Sequence, residues 1–544
     1  MATSCTPLQP LNGRLLLGLP EEILLKIFQQ FCDHCYYDKT LQRQNPDRGD
    51  AILNRKALRA VSLVCKQLRS AAFPIIHHHI PLDVASMKPG TLAAGQRTLL
   101  AQNLIGHPSR LGSLNRITQG FDNPFRHIRI LQVDLYGWHT AAQRILIQDT
   151  VEPPALPQRR LTLDELTEIH SMNEMPLINL QLVFRRATNL SVLELVDVDA
   201  LLVRTLFHMG ALALSDRRTP NLTLLRVHFD TSRREELTAA CLNSLVYVSD
   251  SLRRLELFGC QGGGHITFGD PQPHSGLTHL EIHDPEVPQF LIRSLRKIVA
   301  AYSRLTTVVY MTRYEITPLD GNQTFEHQDH KNLSFSSRGA RQVNPRDIAF
   351  ALAPRAHTLE RLVYDAPLDL AFCSTLGSFR HFSALKEMFL SGKVLFIRPS
   401  SNAPVPFNSS EDEDTIRVNQ PLEDILPQGL EHLCIFNLPG GPAAAKSSLP
   451  LRDMLKGLAQ YMGANPQAFS SLKRITLYHT RPLSTVPTTR GWLNSLPGWF
   501  RTSAVQVKMD QPLTGLLEEI LEKRQRTILR VGGPTRAPSS HWGM

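Results

Sequence analysis

Leu252-Arg253-Arg254-Leu255-Glu256-Leu257-Phe258-Gly259-Cys260 is the stretch that decides how this chain is built. Apolar residues stand at 252, 255 and 257. The last two alternate with period two, as a half-buried strand requires. The same apolar-x-x-apolar-x-apolar form returns at Leu190-Leu193-Leu195, Leu222-Leu225-Val227, Leu277-Leu280-Ile282 and Leu305-Val308-Tyr310. It continues at Leu359-Leu362-Tyr364, Leu385-Met388-Leu390, Leu430-Leu433-Ile435 and Leu472-Ile475-Leu477. Ile128-Leu131-Val133 is an early member, and Val505-Val507 a degenerate last one.

Helical patterns lie between the strands: Leu201 to Leu214, Ser232 to Val248, Val287 to Tyr302 and Leu451 to Met462. Ser232 and Glu235 form a capping box that opens the second of these. Strand alternates with helix, and Leu193, Leu225, Leu255, Leu280 and Val308 recur every 25 to 32 residues. Such a period marks a stacked solenoid, here an α/β one with parallel strands. The pattern resembles leucine-rich repeats, and Leu252 to Cys260 fits their form in full. The other repeats carry Asp230, Pro285 or Pro367 where the family has Asn or Cys. The resemblance therefore implies an irregular array without the usual side-chain ladder.

The array is expected over 125–510. The polar stretch Thr312 to Gln342 reads as a loop or hairpin inserted into it, and Ser400 to Asn419 has the composition of a disordered segment. A helical segment, 511–531, follows, with Leu517, Ile520 and Leu521 on one face. It is expected to cap the last repeat.

The second informative region lies upstream. Leu19-Pro20-Glu21-Glu22-Ile23-Leu24-Leu25-Lys26-Ile27-Phe28 opens with a proline suited to a first helical turn, followed by two acids that favour a helix N-terminus. Leu58 to Arg69 repeats the apolar helical spacing. Two or three short helices cannot bury all of this apolar surface among themselves, so Leu19, Pro20, Ile23, Leu24, Ile27, Phe28, Leu63, Val64 and Leu68 are expected to form a docking surface. These segments resemble the F-box, the module that docks substrate receptors onto the adaptor subunit of SCF ubiquitin ligases. Leu19-Pro20-Glu21-Glu22, Ile27-Phe28 and Val64-Cys65-Lys66 match that family's elements in order. The module would span 15–80, with a polar insertion over 33–55 between its first and second helices. The Trp common near the family's end is replaced by Phe73-Pro74-Ile75-Ile76. Together with divergent repeats, the pattern resembles the large receptor families of filamentous fungi.

Composition narrows the function classes. Hydrophobic residues make up 42% and charged residues 20%, as in a globular protein. No run has the length of a membrane span, and Leu15-Leu16-Leu17 is too short for a signal-peptide core, so an intracellular protein of cytoplasm or nucleus is expected. The eight cysteines are scattered, which reads as reduced thiols, and five Asn-x-Ser/Thr sites then carry no glycosylation meaning. The net charge of +10 is spread along the chain and aromatic residues are 7%, so neither a nucleic-acid nor a membrane partner is expected.

No constellation points to catalysis. Cys32, His34, Cys35, His77, His78 and His79 are metal-ligand types, but no second pair stands at zinc spacing. Gly262-Gly263-Gly264 lacks a phosphate-loop pattern. Cys65, Cys241 and Cys373 lie in apolar helical settings, unlike a ubiquitin-accepting thiol. The expectation is a non-enzyme with no cofactor, metal or catalytic residue. The resemblance implies a substrate-recognition subunit that binds the adaptor and, through it, cullin; a repeat scaffold outside the ubiquitin system is the alternative. In each strand the residues between the apolar positions must face the other way. Arg226, His228, Arg254, Glu256, Phe258, His279, Glu281 and His283 are therefore expected to form a protein-target surface, in which Phe258 is either an exposed anchor or a side chain covered by a neighbouring loop.

Overall fold

The computed structural model describes residues 19–30, 57–76, 78–83, 124–134, 184, 187–198, 203, 221–229, 239–246, 248–259, 271–283, 288–311, 346–365, 376–397, 417–418, 421–436, 442–478, 495–501, 505–509 and 520. The chain forms two compact units, residues 1–230 with 244–252, and residues 231–243 with 253–544.

The first unit opens with three helices: α1 (Glu21–Gln29), α2 (residues 57–62) and α3 (Lys66–Ile76). Four strands follow: β1 (His79–Asp83), β2 (Ile130–Asp134), β3 (Val192–Val198) and β4 (Leu224–Phe229). All four are parallel and pair in chain order. Strand β1 was not expected, and it sets the start of the array at His79 rather than near residue 125. The second unit holds β5 (Arg254–Phe258), β6 (His279–His283), β7 (Thr307–Met311), β8 (Arg361–Tyr364) and β9 (Glu387–Ser391). After a short antiparallel pair, β10 (Phe396–Ile397) with β11 (Arg417–Val418), come β12 (His432–Phe436), β13 (Arg474–Leu477) and β14 (Gln506–Met509). Strands β5 to β9 and β12 to β14 are again parallel neighbours in chain order. Helices α4 (Ala239–Val246), α5 (Pro288–Ala301), α6 (Arg346–Leu352) and α7 (Pro442–Ala464) fall between strands. Strand, helix and parallel strand in sequence order give the expected solenoid-like α/β array.

The repeat triplets make its core. Ile128, Leu131 and Val133, and the corresponding residues of the nine later repeats through Leu472, Ile475 and Leu477, are all buried. Register stacks them in columns: Leu131, Leu193 and Leu225 in the first unit, and Leu255, Leu280, Val308, Leu362, Met388, Leu433, Ile475 and Val507 in the second. One repeat alone cannot bury such a column; its neighbours do.

Within each unit, ties between neighbouring repeats lie at strand starts, where the sequence pattern shows no sign of them. Ser191 and Val192 donate their N–H groups to Arg129 O, Thr223 and Leu224 to Ser191 O, and Thr306 and Thr307 to Thr278 O. The same two-donor step runs through Glu360, Lys386, Glu431 and Lys473. Hydroxyls join the same carbonyls: Ser191 Oγ to Arg129 O, Thr223 Oγ1 to Ser191 O, Thr278 Oγ1 to Arg253 O and Thr306 Oγ1 to Thr278 O, each at 3.1 Å. Asn189 and Asn221 donate amide protons to Arg126 O at 2.6 Å and Thr188 O at 2.8 Å. Two of the Asn-x-Ser/Thr sites are thus structural rungs. Cys260 lies outside the described residues, as do Thr312 to Gln342, the insertion over 33–55 and the glycine run 262–264.

Candidate functional site

Helix α1 begins on Pro20, whose carbonyl accepts from Ile23 and Leu24 at 3.0 and 3.1 Å. Leu24 and Phe28 point inward and pack with Leu58, Leu68, Ala71, Ala72 and Ile75 into one small core. Leu19, Leu25, Val61, Cys65 and Ile76 close its edge. Ser70 Oγ donates to Glu21 Oε1 at 3.2 Å, and Gln67 Nε2 to Leu19 O at 3.4 Å, tying α3 to the start of α1. This core is complete, yet Ile23 and Ile27, one turn apart on α1, are 40% and 36% exposed. Helix α2 ends in a tight turn in which Leu63 N–H bonds Ala60 O and Val64 N–H bonds Val61 O, both at 3.1 Å. The turn lifts Leu63 and Val64 clear of the core, 85% and 69% exposed. Four of the five exposed large apolar side chains among the described residues lie in this module, Phe350 being the fifth.

The expected docking set is therefore divided. Ile23, Ile27, Leu63 and Val64 face solvent with Pro20, and Leu19 is half-buried. Leu24, Phe28 and Leu68 are interior and unavailable to a partner, because three short helices do bury one apolar stripe each. They belong to the module's stability instead.

The strand face differs from expectation more sharply. In β5 and β6, parallel register sets Arg254 beside His279, Glu256 beside Glu281 and Phe258 beside His283. Glu256, Glu281 and His283 are fully buried and Phe258 is 2% exposed. Two carboxylates side by side away from water require compensating charge. Arg254 supplies it: its Nε lies 2.6 Å from Glu256 Oε1, and its Nη2 meets Glu281 Oε1. His279 Nε2 is 2.6 Å from Glu281 Oε1, and His283 Nε2 is 2.9 Å from Oε2. The His283 ring stacks flat on Phe258, centroids 4.4 Å apart at 5°. In the first unit Glu194 sits opposite Arg226 in register, with Arg226 Nη1 at 3.5 Å and His228 Nε2 at 3.2 Å from its carboxylate. The alternation rule placed these residues together on one face. The expectation that they form a solvent-facing target surface fails for His228, Glu256, Phe258, Glu281 and His283, all buried. Only Arg226, Arg254 and His279 keep partial exposure. Phe258 packs on an imidazole and is no exposed anchor.

Farther along the second unit, burial lowers the His432 pKa to about 4, assisted by Arg474 and Lys508, and raises the Cys434 thiol to about 12. His432 Nδ1 accepts from Arg474 Nη2 at 3.1 Å. Among the described residues no group of three His, Cys, Asp or Glu side chains is placed to hold a metal ion, and no helix is long and apolar enough to cross a membrane. No protein-family model matches this chain. No curated protein matches it either.

Proposed function

We propose that this chain is the substrate-recognition subunit of an SCF-type ubiquitin ligase, docking the adaptor through α1–α3 and holding a protein target on the repeat array. One observation carries the reading: Ile23, Ile27, Leu63 and Val64 are exposed on a module whose own core is already closed. Folding gains nothing from that exposure. Covering a fully exposed Leu or Val side chain is worth about 1.5–3 kcal/mol, so Leu63 and Val64 stand to gain most of that and the part-covered Ile23 and Ile27 less; interfaces draw most of their energy from a few such residues. The residues also fall within or beside the motifs that resemble the F-box. The chain brings no nucleophile or acid–base pair of its own in this reading; it works by keeping the target near a separate catalytic machine.

A second reading is a repeat scaffold in which the helices simply cap the array. It is favoured by α3 running almost directly into β1, with Phe73 packed edge-on against His127 at 5.9 Å. Leu63 and Val64 separate the two, since a cap has no use for them. Size-exclusion chromatography of the full chain with purified adaptor should give one co-eluting complex that the Ile23→Asp/Val64→Asp double variant does not form. Co-elution of that variant equal to the parent would move docking elsewhere.

A further inference from the structure

Strands β7, β8, β9 and β12 present a different surface from β5 and β6. In the column that carries Glu256 and Glu281, they place Val309, Val363, Phe389 and Cys434. Met311 and Phe436 extend the patch. These six side chains form one apolar cluster, buried on the face opposite the repeat core. Its seventh buried member comes from none of these strands. It is Ile520, fully buried, with Tyr478 at the edge. A cap on the last repeat would cover β14, but Ile520 packs against strands from the middle of the unit. Around it Leu513, Leu516, Leu517, Ile520 and Leu521 recur at helical spacing, with Glu518, Glu519, Lys523 and Arg524 between and beyond them. A single amphipathic helix of this length is marginal alone in water and needs a groove to hold it.

We infer that the apolar strip of β7–β12 is a binding groove for one amphipathic helix, and that residues 511–531 of the same chain are its occupant, seated through Ile520.

The test uses the full-length chain and a fluorescent synthetic peptide of residues 511–531, followed by anisotropy. The parent, already occupied, takes up little peptide. The Ile520→Ala chain loosens its own segment and binds the peptide about tenfold or more tighter than the parent. A peptide carrying Ile520→Asp binds neither chain. Equal peptide affinity for parent and Ile520→Ala, with an unchanged thermal melt, overturns the inference. Should Ile520→Ala lose its cooperative melt, Ile520→Val, one methylene smaller, goes through the same titration, and no gain there overturns it as well. Adaptor co-elution through Ile23 and Val64 is measured without the peptide, so failure of the docking reading and failure of this one are told apart.

Discussion

Ile23 and Ile27 on α1, and Leu63 and Val64 in the turn after α2, are exposed around an interior that is full, whereas Glu256, Glu281 and His283 are shut away from water on β5 and β6. Each region inverts the usual partition of residue types. The two inversions mean different things. A group of exposed apolar side chains on one small module is what a docking surface requires, and it is the basis of the docking proposal. A buried carboxylate with Arg254, His279 and His283 around it is already satisfied within the chain, so it points inward to architecture.

The comparison breaks most visibly if the buried network is removed. Glu281→Ala leaves Arg254, His279 and His283 without their shared carboxylate and should cost about 3–5 kcal/mol by denaturant unfolding. A loss under about 1 kcal/mol would mean that the cluster is wetter than its geometry implies. Leu255→Ala, in the core column, should cost about 2–5 kcal/mol in the same measurement. Thr278→Val removes one hydroxyl rung to Arg253 O while keeping shape, and should cost about 0.5–1.5 kcal/mol. Leu63→Asp, by contrast, should leave stability within about 0.5 kcal/mol of the parent.

A pH titration sharpens the same contrast. The His432 pKa falls to about 4 in the fold, against an ordinary value of 6.5. The unfolded chain therefore binds the proton more readily between those values. The stability contribution of neutral His432 is fully present above pH 6.5 and is lost as pH falls through 4. His432→Asn should flatten the decline in melting temperature between pH 6.5 and 4. An unaltered decline would assign it to other groups.

The array was legible because its signal is redundant: ten triplets repeat one pattern, and every one is buried. The helical module was legible from Pro20, the acids after it and its two apolar segments. The orientation of Leu24, Phe28 and Leu68 was not, because residues 23, 24, 27 and 28 all fit a helical apolar stripe and only packing decides which pair faces inward. Burial of the β5–β6 face escaped the alternation rule, which says which residues share a face but not whether anything covers it. One signal was present. Thr307-Val308-Val309-Tyr310-Met311 is apolar at both parities, and all five residues are buried, as in strands covered on both faces. The ladder at the strand starts was invisible for another reason. Its main acceptors are backbone carbonyls, and Ser191, Thr223, Thr278 and Thr306 look in sequence like ordinary polar residues.

The central claim is that the exposed apolar side chains of α1 and of the turn after α2 serve docking and not folding. Titrating purified adaptor into the full-length parent and the Ile23→Asp/Leu63→Asp variant by calorimetry, with a thermal melt of each sample, tests it most directly. The account predicts a measurable affinity for the parent, a loss of about a hundredfold or more in the variant, and superimposable melts. Equal affinities, or a variant that fails to fold, would contradict it.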